Sequence, residues 1–387
     1  MKLIVSDYLF DKEKLYDDRA VVMHKNNVVD VATFRTLKKC YPEARIEEYY
    51  GGVLFPGFIN AHTHIELSNM KGKTKEGEDF VAWLKSIMKN KAATASGGQI
   101  KKAIFKLKKS GVGAVGDISN TLKTAFYLKK YMPESVLFWE NYSLLENKAK
   151  QKIEKIKKSL FLLDMEKPKL RLSLHAVYST HPCLAEFICN HYKAPLSIHF
   201  LESKYEEMFL KRQGGLFGFL KEAGFIENTK IYSDIWDFLK TTKCLKPKTI
   251  FVHCVLCKKR DLEKIKLLDG SVCLCLRSNE FISKQLPDVY AILESGINVA
   301  IGTDSLASNK NLNFLEELSF IYERFPLVDP EVIFKWAIDG GAEALQLYWG
   351  FVKGAKAYPV FIPSTVYHPL RSILEKEEGR APLLVNA

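Results

Sequence analysis

The sequence predicts an α/β protein, a (β/α)8 barrel of the TIM type with a small β-sandwich-like domain built from both ends of the chain. Eight short β-rich runs, several of them apolar throughout, alternate with amphipathic helical stretches, as barrel strands covered on both faces require. The segments before residue 54 and after residue 347 read as β structure instead. With 387 residues and 47% apolar composition, the chain can bury a large core.

The predicted order of elements runs from the small domain into the barrel and back. Residues 1–53 and 348–387 form the small domain and a tail, and residues 54–347 form the barrel. The strand candidates of the barrel are 54–64, 111–119, 135–142, 170–178, 195–203, 249–257, 271–279 and 296–305. The helix candidates are 78–90, 98–110, 183–192, 259–268, 288–295, 313–325 and 330–347. An open doubly wound sheet is the alternative, but no G-x-G-x-x-G turn follows the first strand.

Charge and composition exclude several classes of function. The net charge is +12, but the lysines fill the outer faces of amphipathic stretches such as 146–163, which is typical of solvated helix surfaces. No zinc-finger, helix-turn-helix or RNP-type signature accompanies them, so we expect no nucleic-acid partner. No apolar run reaches the roughly 18 residues of a membrane span, and the N-terminus lacks a signal-peptide pattern. We therefore expect a cytoplasmic protein without a membrane partner.

The eight cysteines are expected to be free thiols, since a long chain without a secretion signal seldom carries a disulfide framework. Cys254-x-x-Cys257 and Cys273-x-Cys275 suggest a zinc ribbon at first sight. The second pair is C-x-C where a ribbon has C-x-x-C, and it alternates within a strand-like run. Buried thiols on a strand explain this pattern better.

Polar side chains gather where the predicted barrel strands end, which is where barrel enzymes place their chemistry. Five of the nine histidines lie there, together with three acidic residues. These strand-end residues are His62, His64, Asp117, His175, His199, Glu202, His253 and Asp304. A single H-x-H is a weak signal, and a single strand-end aspartate is more often a cap. The convergence of several such residues on one barrel mouth favours a metal site.

The spacing of His62 and His64 explains how two imidazoles could share one ion. Residues i and i+2 of a strand point to the same side, so both rings can face the barrel mouth. A third imidazole, His199, and a carboxylate, Asp304, complete a four-ligand set for one divalent ion, zinc or iron. Such a set leaves a position open for water, which is typical of catalytic rather than structural sites.

The stretches PGFINAHTHIEL, SIHFLES, VHC and IGTDS closely resemble the amidohydrolase superfamily, in its deaminase and chlorohydrolase branch. The resemblance spans residues 50 to about 350. It implies that His62, His64, His199 and Asp304 bind one metal ion. LRSN (276–279) is similar to the branch's PRSN motif, with Leu276 in place of proline. The C-terminal GxxADLV signature is reduced to GAKAYPVFI, which affects the expected shape of the small domain only.

The same resemblance implies a mechanism. Glu202, in the branch's H-x-x-E motif, shuttles protons between the nucleophilic water and a ring nitrogen of the substrate. Asp304 binds the ion and accepts a hydrogen bond from that water, and His253 orients the nucleophile or stabilises the adduct. His175 stands where binuclear members carry a bridging lysine or glutamate, which implies a single ion. In related deaminases a histidine at this place touches the substrate.

For the substrate, the sequence most resembles aminofutalosine deaminases of the futalosine route to menaquinone, which convert 6-amino-6-deoxyfutalosine to futalosine and ammonia. Adenosylhomocysteine and methylthioadenosine deaminases place a ribose-binding acid after a WL pair, whereas AWLKSIMKNKAA (82–93) has none. The expected substrate-binding residues are His175, Glu202, Trp83, Arg277 and Asn279. Arg277, Lys204 and Arg212 are the candidate cations for the substrate benzoate. The stacking role of Trp83 competes with an ordinary core position.

Several alternatives stay open. The same site could release ammonia from another aromatic amine, including adenosylhomocysteine-type nucleosides, or hydrolyse a chloride. A non-catalytic binding relative on the same barrel is a further class, although every ligand position is filled. A cytidine-type zinc deaminase is mimicked by His64-Ile65-Glu66 and the Cys254 pair, but it leaves the eight strands unexplained. The role of Glu66 is undecided, and a homodimer is the candidate assembly for this nucleoside-binding enzyme.

Overall fold

The computed structural model describes residues 1–77, 79–90, 94–164, 167–226, 230–375 and 382–385. Residues 91–93, part of the stretch AWLKSIMKNKAA, lie outside the described residues. Within the described residues the strands are β1 (Lys2–Phe10), β2 (Leu15–Tyr16), β3 (Arg19–His24), β4 (Asn27–Thr33), β5 (Arg45–Phe55), β6 (Phe58–Thr63), β7 (Val112–Ser119), β8 (Val136–Asn141), β9 (Lys169–Leu174), β10 (Leu196–Phe200), β11 (Thr249–His253), β12 (Ser271–Leu274), β13 (Asn298–Ile301), β14 (Val360–Pro363) and β15 (Leu383–Leu384).

The helices mostly follow the strands one by one. They are α1 (Phe34–Cys40), α2 (Phe80–Asn90), α3 (Gly97–Lys109), α4 (Ala125–Tyr131), α5 (Glu146–Lys157), α6 (Pro182–Asn190), α7 (Lys204–Leu210), α8 (Gly214–Glu222), α9 (Ile235–Thr241), α10 (Lys259–Leu267), α11 (Leu276–Ser283), α12 (Val289–Glu294), α13 (Phe314–Arg324), α14 (Pro330–Lys335), α15 (Gly341–Leu345) and α16 (Pro369–Leu374). Short 3-10 helices cover Ile65–Met70 and Leu160–Asp164, and a π-helical turn covers Trp336–Gly340.

Eight parallel strands, β6 to β13, pair in sequence order as two four-stranded sheets. Hydrogen bonds join the two sheets at both seams. At one seam, the N–H groups of Thr303 and Asp304 donate to the His62 carbonyl at 3.0 and 3.1 Å. At the other, the His199 N–H donates to the His175 carbonyl at 2.9 Å. Every residue of β6, β7, β8, β10, β11 and β12 is buried, as the apolar runs predicted.

The two ends of the chain meet in a seven-stranded sheet of order β15-β14-β5-β1-β3-β4, with β2 paired to β1. β14 lies antiparallel to β5 through the pair Phe361 and Leu54. The N- and C-terminal segments therefore share one sheet. An aromatic cluster joins this sheet to the parallel strands, since the Phe55 ring lies 5.4 Å from that of Phe58 and 4.8 Å from that of Phe334.

Four predicted strands end three or four residues earlier in the structure, at Leu174, Phe200, His253 and Ile301, and two others differ more. The run 54–64 is not one strand, because Leu54 and Phe55 end β5 and Phe58 begins β6. The break is at Pro56-Gly57: Gly57 has φ +89°, and a Cβ there would lie 2.7 Å from the Tyr358 carbonyl oxygen. The run 271–279 ends as a strand at Leu274, and α11 begins at Leu276. Because apolar residues continue to alternate across this boundary, the sequence did not show where the strand ends.

The cysteines depart from expectation at one place. Cys189 and Cys244 form a disulfide, with their Cα atoms 5.3 Å apart, because α6 packs beside the turn that follows α9. The other six cysteines are free, including Cys254, Cys257, Cys273 and Cys275. Among the described residues, no helix has both the length and the apolarity needed to cross a membrane.

Candidate active site

The carboxyl ends of the parallel strands bring together the polar residues that the sequence singled out. His62 lies in β6 and His64 just after it, while His199 lies in β10. His253 ends β11, and Asp304 follows β13. All five side chains are buried. Because parallel strands end at a common edge, residues far apart in sequence share one small volume.

Four of these residues form a group that could hold a metal ion. His62, His64, His199 and Asp304 each offer one ligand atom, and these atoms all lie within 4.8 Å of one another. His64 Nε2 lies 3.2 Å from His62 Nε2 and 3.3 Å from Asp304 Oδ1. Three imidazoles and one carboxylate, drawn together in a buried volume, are a donor set that suits a divalent ion such as zinc.

The protonation states of the group also suit a ligand set. Burial, reinforced by the neighbouring imidazoles, lowers the pKa of His199 well below its ordinary value, so the ring is neutral. Its Nδ1 donates to the His175 carbonyl at 3.1 Å, which leaves Nε2 with the lone pair. Burial raises the pKa of Asp304, but its contact with His62 and the nearby His64 and His253 outweigh burial and hold that pKa well below its ordinary value.

The Asp304 carboxylate is held by residues that sequence reasoning missed. Ser278 Oγ and Ser308 Oγ both donate to Asp304 Oδ2, at 2.6 and 2.5 Å. The other oxygen, Oδ1, therefore faces His62 and His64. Asp304 itself has φ +53°, a strained conformation for a non-glycine residue that is common at functional sites. The spacing of Asp304 and Ser308, four residues apart in one loop, was the signal in the sequence.

Glu202 and His253 lie side by side next to the metal group. Glu202 Oε1 is 3.5 Å from His253 Nε2. Burial, followed by the charges of Asp304 and Glu206, raises the pKa of Glu202 well above its ordinary value. Burial also lowers the pKa of His253 to about 4, so this imidazole is neutral at pH 7. A carboxyl with a raised pKa beside a neutral imidazole is suited to take up and return a proton.

Known proteins share much of this sequence. Residues 53–366 match the Amidohydrolase family, which covers most of the chain. The chain belongs to the amidohydrolase family. The adenosine deaminase of Helicobacter pylori is 33% identical over 365 residues, covering 89% of this chain and 87% of its own length. The aminodeoxyfutalosine deaminase of a Nitratiruptor species is 28% identical over 337 residues, covering 82% and 79%.

A solved structure agrees with these sequence relatives. The crystal structure of Helicobacter pylori aminofutalosine deaminase in complex with methylthio-coformycin superposes with a TM-score of 0.87 at 28% identity. The match covers 99% of this chain and 98% of that one. The resemblance to the deaminases of this superfamily, inferred from four short motifs, is therefore confirmed. The family is metal-dependent, in agreement with the ligand group described above.

In this amidohydrolase, the LRSN motif lies at the start of a helix rather than at a strand end, and its two candidate residues face different surroundings. Asn279 Nδ2 lies 3.0 Å from His253 Nδ1 and so fixes the orientation of that ring. Arg277 instead pairs with Glu316 at 2.8 Å and with Glu317 at 3.7 Å. Its charge is already matched, so Arg277 is a weaker candidate for a substrate carboxylate than the sequence indicated. Lys204 and Arg212 are both exposed.

The two candidates with rings, His175 and Trp83, contact different parts of the strand ends. The His175 ring lies 4.5 Å from that of His199, and its Nδ1 contacts Ser179 Oγ at 2.8 Å. Trp83 is buried, and its Nε1 donates to the carbonyl of Ala307 at 2.9 Å. Ala307 belongs to the loop after Asp304, so Trp83 fastens α2 to the rim of the site. Direct contact of either residue with a substrate stays a prediction.

Glu66, whose role the sequence left open, supports a neighbouring loop. Its carboxylate accepts hydrogen bonds from Ser119 Oγ at 2.8 Å and from the Asn120 N–H at 2.6 Å. It also accepts from the N–H and Oγ1 of Thr121 at 3.2 and 2.8 Å. These four bonds fix the turn after β7. Asp117 acts similarly on the turn after His64, because its Oδ1 accepts the Ile65 N–H at 2.9 Å.

A further acidic residue at this mouth, Glu140, was not predicted. It lies near the end of β8 and forms a second possible ligand group with His175 and His199, again within 4.8 Å. Its Oε2 accepts from Asn120 Nδ2 at 2.9 Å. The signal in the sequence was a lone acid within the apolar run VLFWEN, one residue from the strand end.

Proposed function

We propose that this protein is a metal-dependent hydrolytic deaminase of an aminopurine nucleoside, with 6-amino-6-deoxyfutalosine as its substrate and futalosine and ammonia as its products. The single observation that carries this proposal is the buried group of His62, His64, His199 and Asp304 with Glu202 beside it. The similarity of the chain to deaminases over nearly its whole length supports the choice of reaction. The products would belong to the futalosine route of menaquinone biosynthesis.

The four ligands would hold one divalent ion per chain, zinc or iron. When bound, such an ion lowers the pKa of a coordinated water from 15.7 to about 7 and so supplies a nucleophile at neutral pH. Ser278 and Ser308 keep one Asp304 oxygen occupied, so that the other is presented to the ion. Hydrogen bonds of this kind commonly tune both ligand orientation and metal affinity.

Glu202 would be the proton carrier. Its raised pKa allows it to accept the proton of the water and to deliver it to a purine ring nitrogen, which makes the adjacent ring carbon electrophilic. His253, held in place by Asn279, would orient the nucleophile or stabilise the tetrahedral adduct. Asp304, also a ligand, would accept a hydrogen bond from the water. As the C–N bond breaks, the proton of the added hydroxyl passes to the amino group, so that ammonia leaves and the purine carries a carbonyl oxygen in its place.

We propose that the substrate contacts His175, Glu202, Trp83 and Asn279. Contact with Arg277 stays a prediction, although the ion pairs of Arg277 with Glu316 and Glu317 disfavour it.

For the architecture, we propose that the two four-stranded sheets close into one (β/α)8 barrel over residues 54–347. The seam hydrogen bonds described above support closure. Residues 1–53 and 348–387 would form a separate sandwich-like domain. The homodimer, the cytoplasmic location and the lack of nucleic-acid and membrane partners stay predictions.

A substrate panel tests the proposal. Ammonia release would be measured for 6-amino-6-deoxyfutalosine, methylthioadenosine, adenosylhomocysteine and adenosine, with protein loaded with zinc or with iron. We expect the highest kcat/KM for aminofutalosine. A higher value for adenosylhomocysteine or methylthioadenosine would reassign the substrate and keep the reaction. No ammonia from any aminopurine nucleoside would overturn the deaminase proposal.

A further inference from the structure

We propose that Glu140 is the residue that recognises the ribose of the substrate, by accepting hydrogen bonds from its vicinal 2′- and 3′-hydroxyls. This inference rests on the proposed function, since it presumes a nucleoside whose purine lies at the metal group. A ribose presents two hydroxyl donors, and a buried site that binds it needs an acceptor for them. A carboxylate suits a diol because it has two oxygens, with roughly four acceptor positions between them.

The position of Glu140 fits this role. Its carboxylate lies within 4.8 Å of ligand atoms of both His175 and His199, and His199 belongs to the metal group. Glu140 is therefore one imidazole ring away from the reacting centre, on the side of β8 and β9. A nucleoside whose purine six-membered ring is at the metal group must place its ribose a short distance to one side. The side chain is 4% exposed, so a bond made there would be sheltered from water.

The other buried carboxylates at the carboxyl ends of the strands have other roles. Asp304 is a metal ligand, and Glu202 is the proton carrier. Glu66 holds the turn at 119–121, and Asp117 holds the N–H of Ile65. Glu206 accepts the N–H groups of Leu201 and Glu202 at 3.1 and 2.7 Å. The described part of α2 after Trp83, residues 84–90, contributes no acid.

Glu140 is not needed to orient the metal ligand beside it. Its Oε1 is 3.8 Å from His199 Nδ1, beyond hydrogen-bond range, whereas the His175 carbonyl accepts that N–H at 3.1 Å. Asn120 Nδ2 donates two hydrogen bonds to Glu140, one to Oε2 at 2.9 Å and one to the backbone carbonyl of Glu140 at 3.1 Å. The side chain is thus fixed before any substrate arrives, which reduces the entropy lost on binding.

Hydroxyl discrimination tests this assignment. We would measure kcat/KM for adenosine, 2′-deoxyadenosine and 3′-deoxyadenosine with the wild type, Glu140→Ala, Glu140→Gln and the control Asp339→Asn, whose carboxylate pairs with Lys12 at 3.3 Å, and the metal content of each. A hydrogen bond to a charged group is strong enough for the wild type to prefer adenosine over a deoxy analogue about 10- to 100-fold. Glu140→Ala should remove most of this preference at unchanged metal content. Glu140→Gln, which keeps one acceptor and the shape, should retain part of it, and Asp339→Asn, at the opposite ends of the strands, should retain all of it.

The opposite outcomes separate this inference from the proposed function. If Glu140→Ala or Glu140→Gln slows all three nucleosides equally and keeps the full preference for adenosine, Glu140 does not read the ribose. Loss of metal with an equal slowing would assign it instead to the support of His199. If the wild type deaminates none of the three nucleosides nor methylthioadenosine or aminofutalosine, the proposed function itself fails. If it accepts only the last two, their 2′- and 3′-deoxy analogues replace adenosine in the same comparison.

Discussion

The two ends of the parallel strands carry polar groups of very different kinds. At the carboxyl ends, His62 Nδ1, His253 Nε2 and Asn279 Oδ1 are buried without a hydrogen-bond partner among the described residues. At the amino ends, the Asn298 amide donates to Ser271 Oγ at 2.8 Å and to the Gly340 carbonyl at 3.0 Å. Unsatisfied buried polar atoms are costly and rare, so their concentration at one end indicates function there.

The amino ends are nonetheless polar and open. A cleft of about 390 Å³ lies there, between the strand starts and the helices around Lys335 and Gly340. Its acidic residues are paired: Asp339 with Lys12 at 3.3 Å, and Asp269 and Glu343 with Lys248 at 2.6 and 3.7 Å. The comparison teaches that a polar cleft alone does not indicate chemistry. In this chain the charged groups of the amino ends pair with one another, whereas several polar atoms at the carboxyl ends have no partner among the described residues.

The largest predicted effect on the difference between the two ends comes from removing a metal ligand. His199→Ala should lose the bound metal and all measurable turnover, because the ion needs the third imidazole. The matched control is Cys254→Ala, which lies near the same mouth but is outside the ligand group. It should keep both properties. Metal analysis and ammonia release measure the two effects, and metal loss in the cysteine variant instead would favour a cysteine-bound zinc.

Glu202→Gln should keep the metal and the fold but lose about two orders of magnitude in kcat or more, since a placed acid/base contributes about 10²–10⁴-fold. Glu66→Gln alters another buried carboxylate of the same mouth and should change kcat much less. Steady-state kinetics with metal analysis distinguishes them. Unchanged turnover in Glu202→Gln would remove Glu202 from the mechanism.

At the opposite end, Asn298→Ala should affect stability alone. It leaves Ser271 Oγ and the Gly340 carbonyl without their amide partner, at a cost of about 1–3 kcal/mol in the free energy of unfolding. Denaturant unfolding would measure this loss. The kcat of the folded fraction and its metal content should match the wild type, and a fall in kcat at unchanged stability would contradict the division between the two ends.

The smallest effect concerns pH. Burial raises the pKa of Glu206 to about 8, although hydrogen bonds from the N–H groups of Glu202, Leu201 and Ser203 oppose this rise. Between pH 4.5 and 8 the folded chain keeps a proton that the unfolded chain releases. The contribution of Glu206 to stability is therefore full below pH 4.5 and is lost as the pH rises toward 8, by at most about 1.4 kcal/mol per pH unit.

Glu206→Gln cannot release that proton, so its free energy of unfolding should fall less steeply with pH than that of the wild type over this range. Denaturant unfolding at several pH values, with both proteins in the same buffers, measures the difference of slopes. Equal slopes would show that Glu206 is ionised in the folded protein at neutral pH.

The sequence predicted the residues that converge in the buried ligand group better than the residues around them. His62 and His64 were found because strand periodicity places residues i and i+2 on one side, and Asp304 because it follows an apolar strand. Glu140 was missed because one acid in an aromatic-rich strand gives no periodic signal. Ser278 and Ser308 were missed because they contact Asp304 only through the folded turn after β13 and the first turn of α11.

The fold shows a similar limit. Apolar runs located all eight parallel strands, since strands buried on both faces have few polar residues. They placed the ends of β9, β10, β11 and β13 three or four residues too late. They also missed the ends of β5 and β12, where apolar residues continue through the Pro56-Gly57 break and into α11. The disulfide between Cys189 and Cys244 depends on how α6 packs against the segment after α9, 55 residues later, which no local pattern encodes.

The most direct test of the central claim is the origin of the oxygen in the product. Metal-loaded protein would be incubated with 6-amino-6-deoxyfutalosine in water enriched in ¹⁸O, and the product examined by mass spectrometry beside an ammonia assay. Hydrolytic deamination at this site predicts futalosine with one ¹⁸O and one ammonia per turnover, and about 100-fold less product or lower with Glu202→Gln in the same time. Unlabelled product, or no conversion of any aminopurine nucleoside by metal-loaded wild type, would contradict the account.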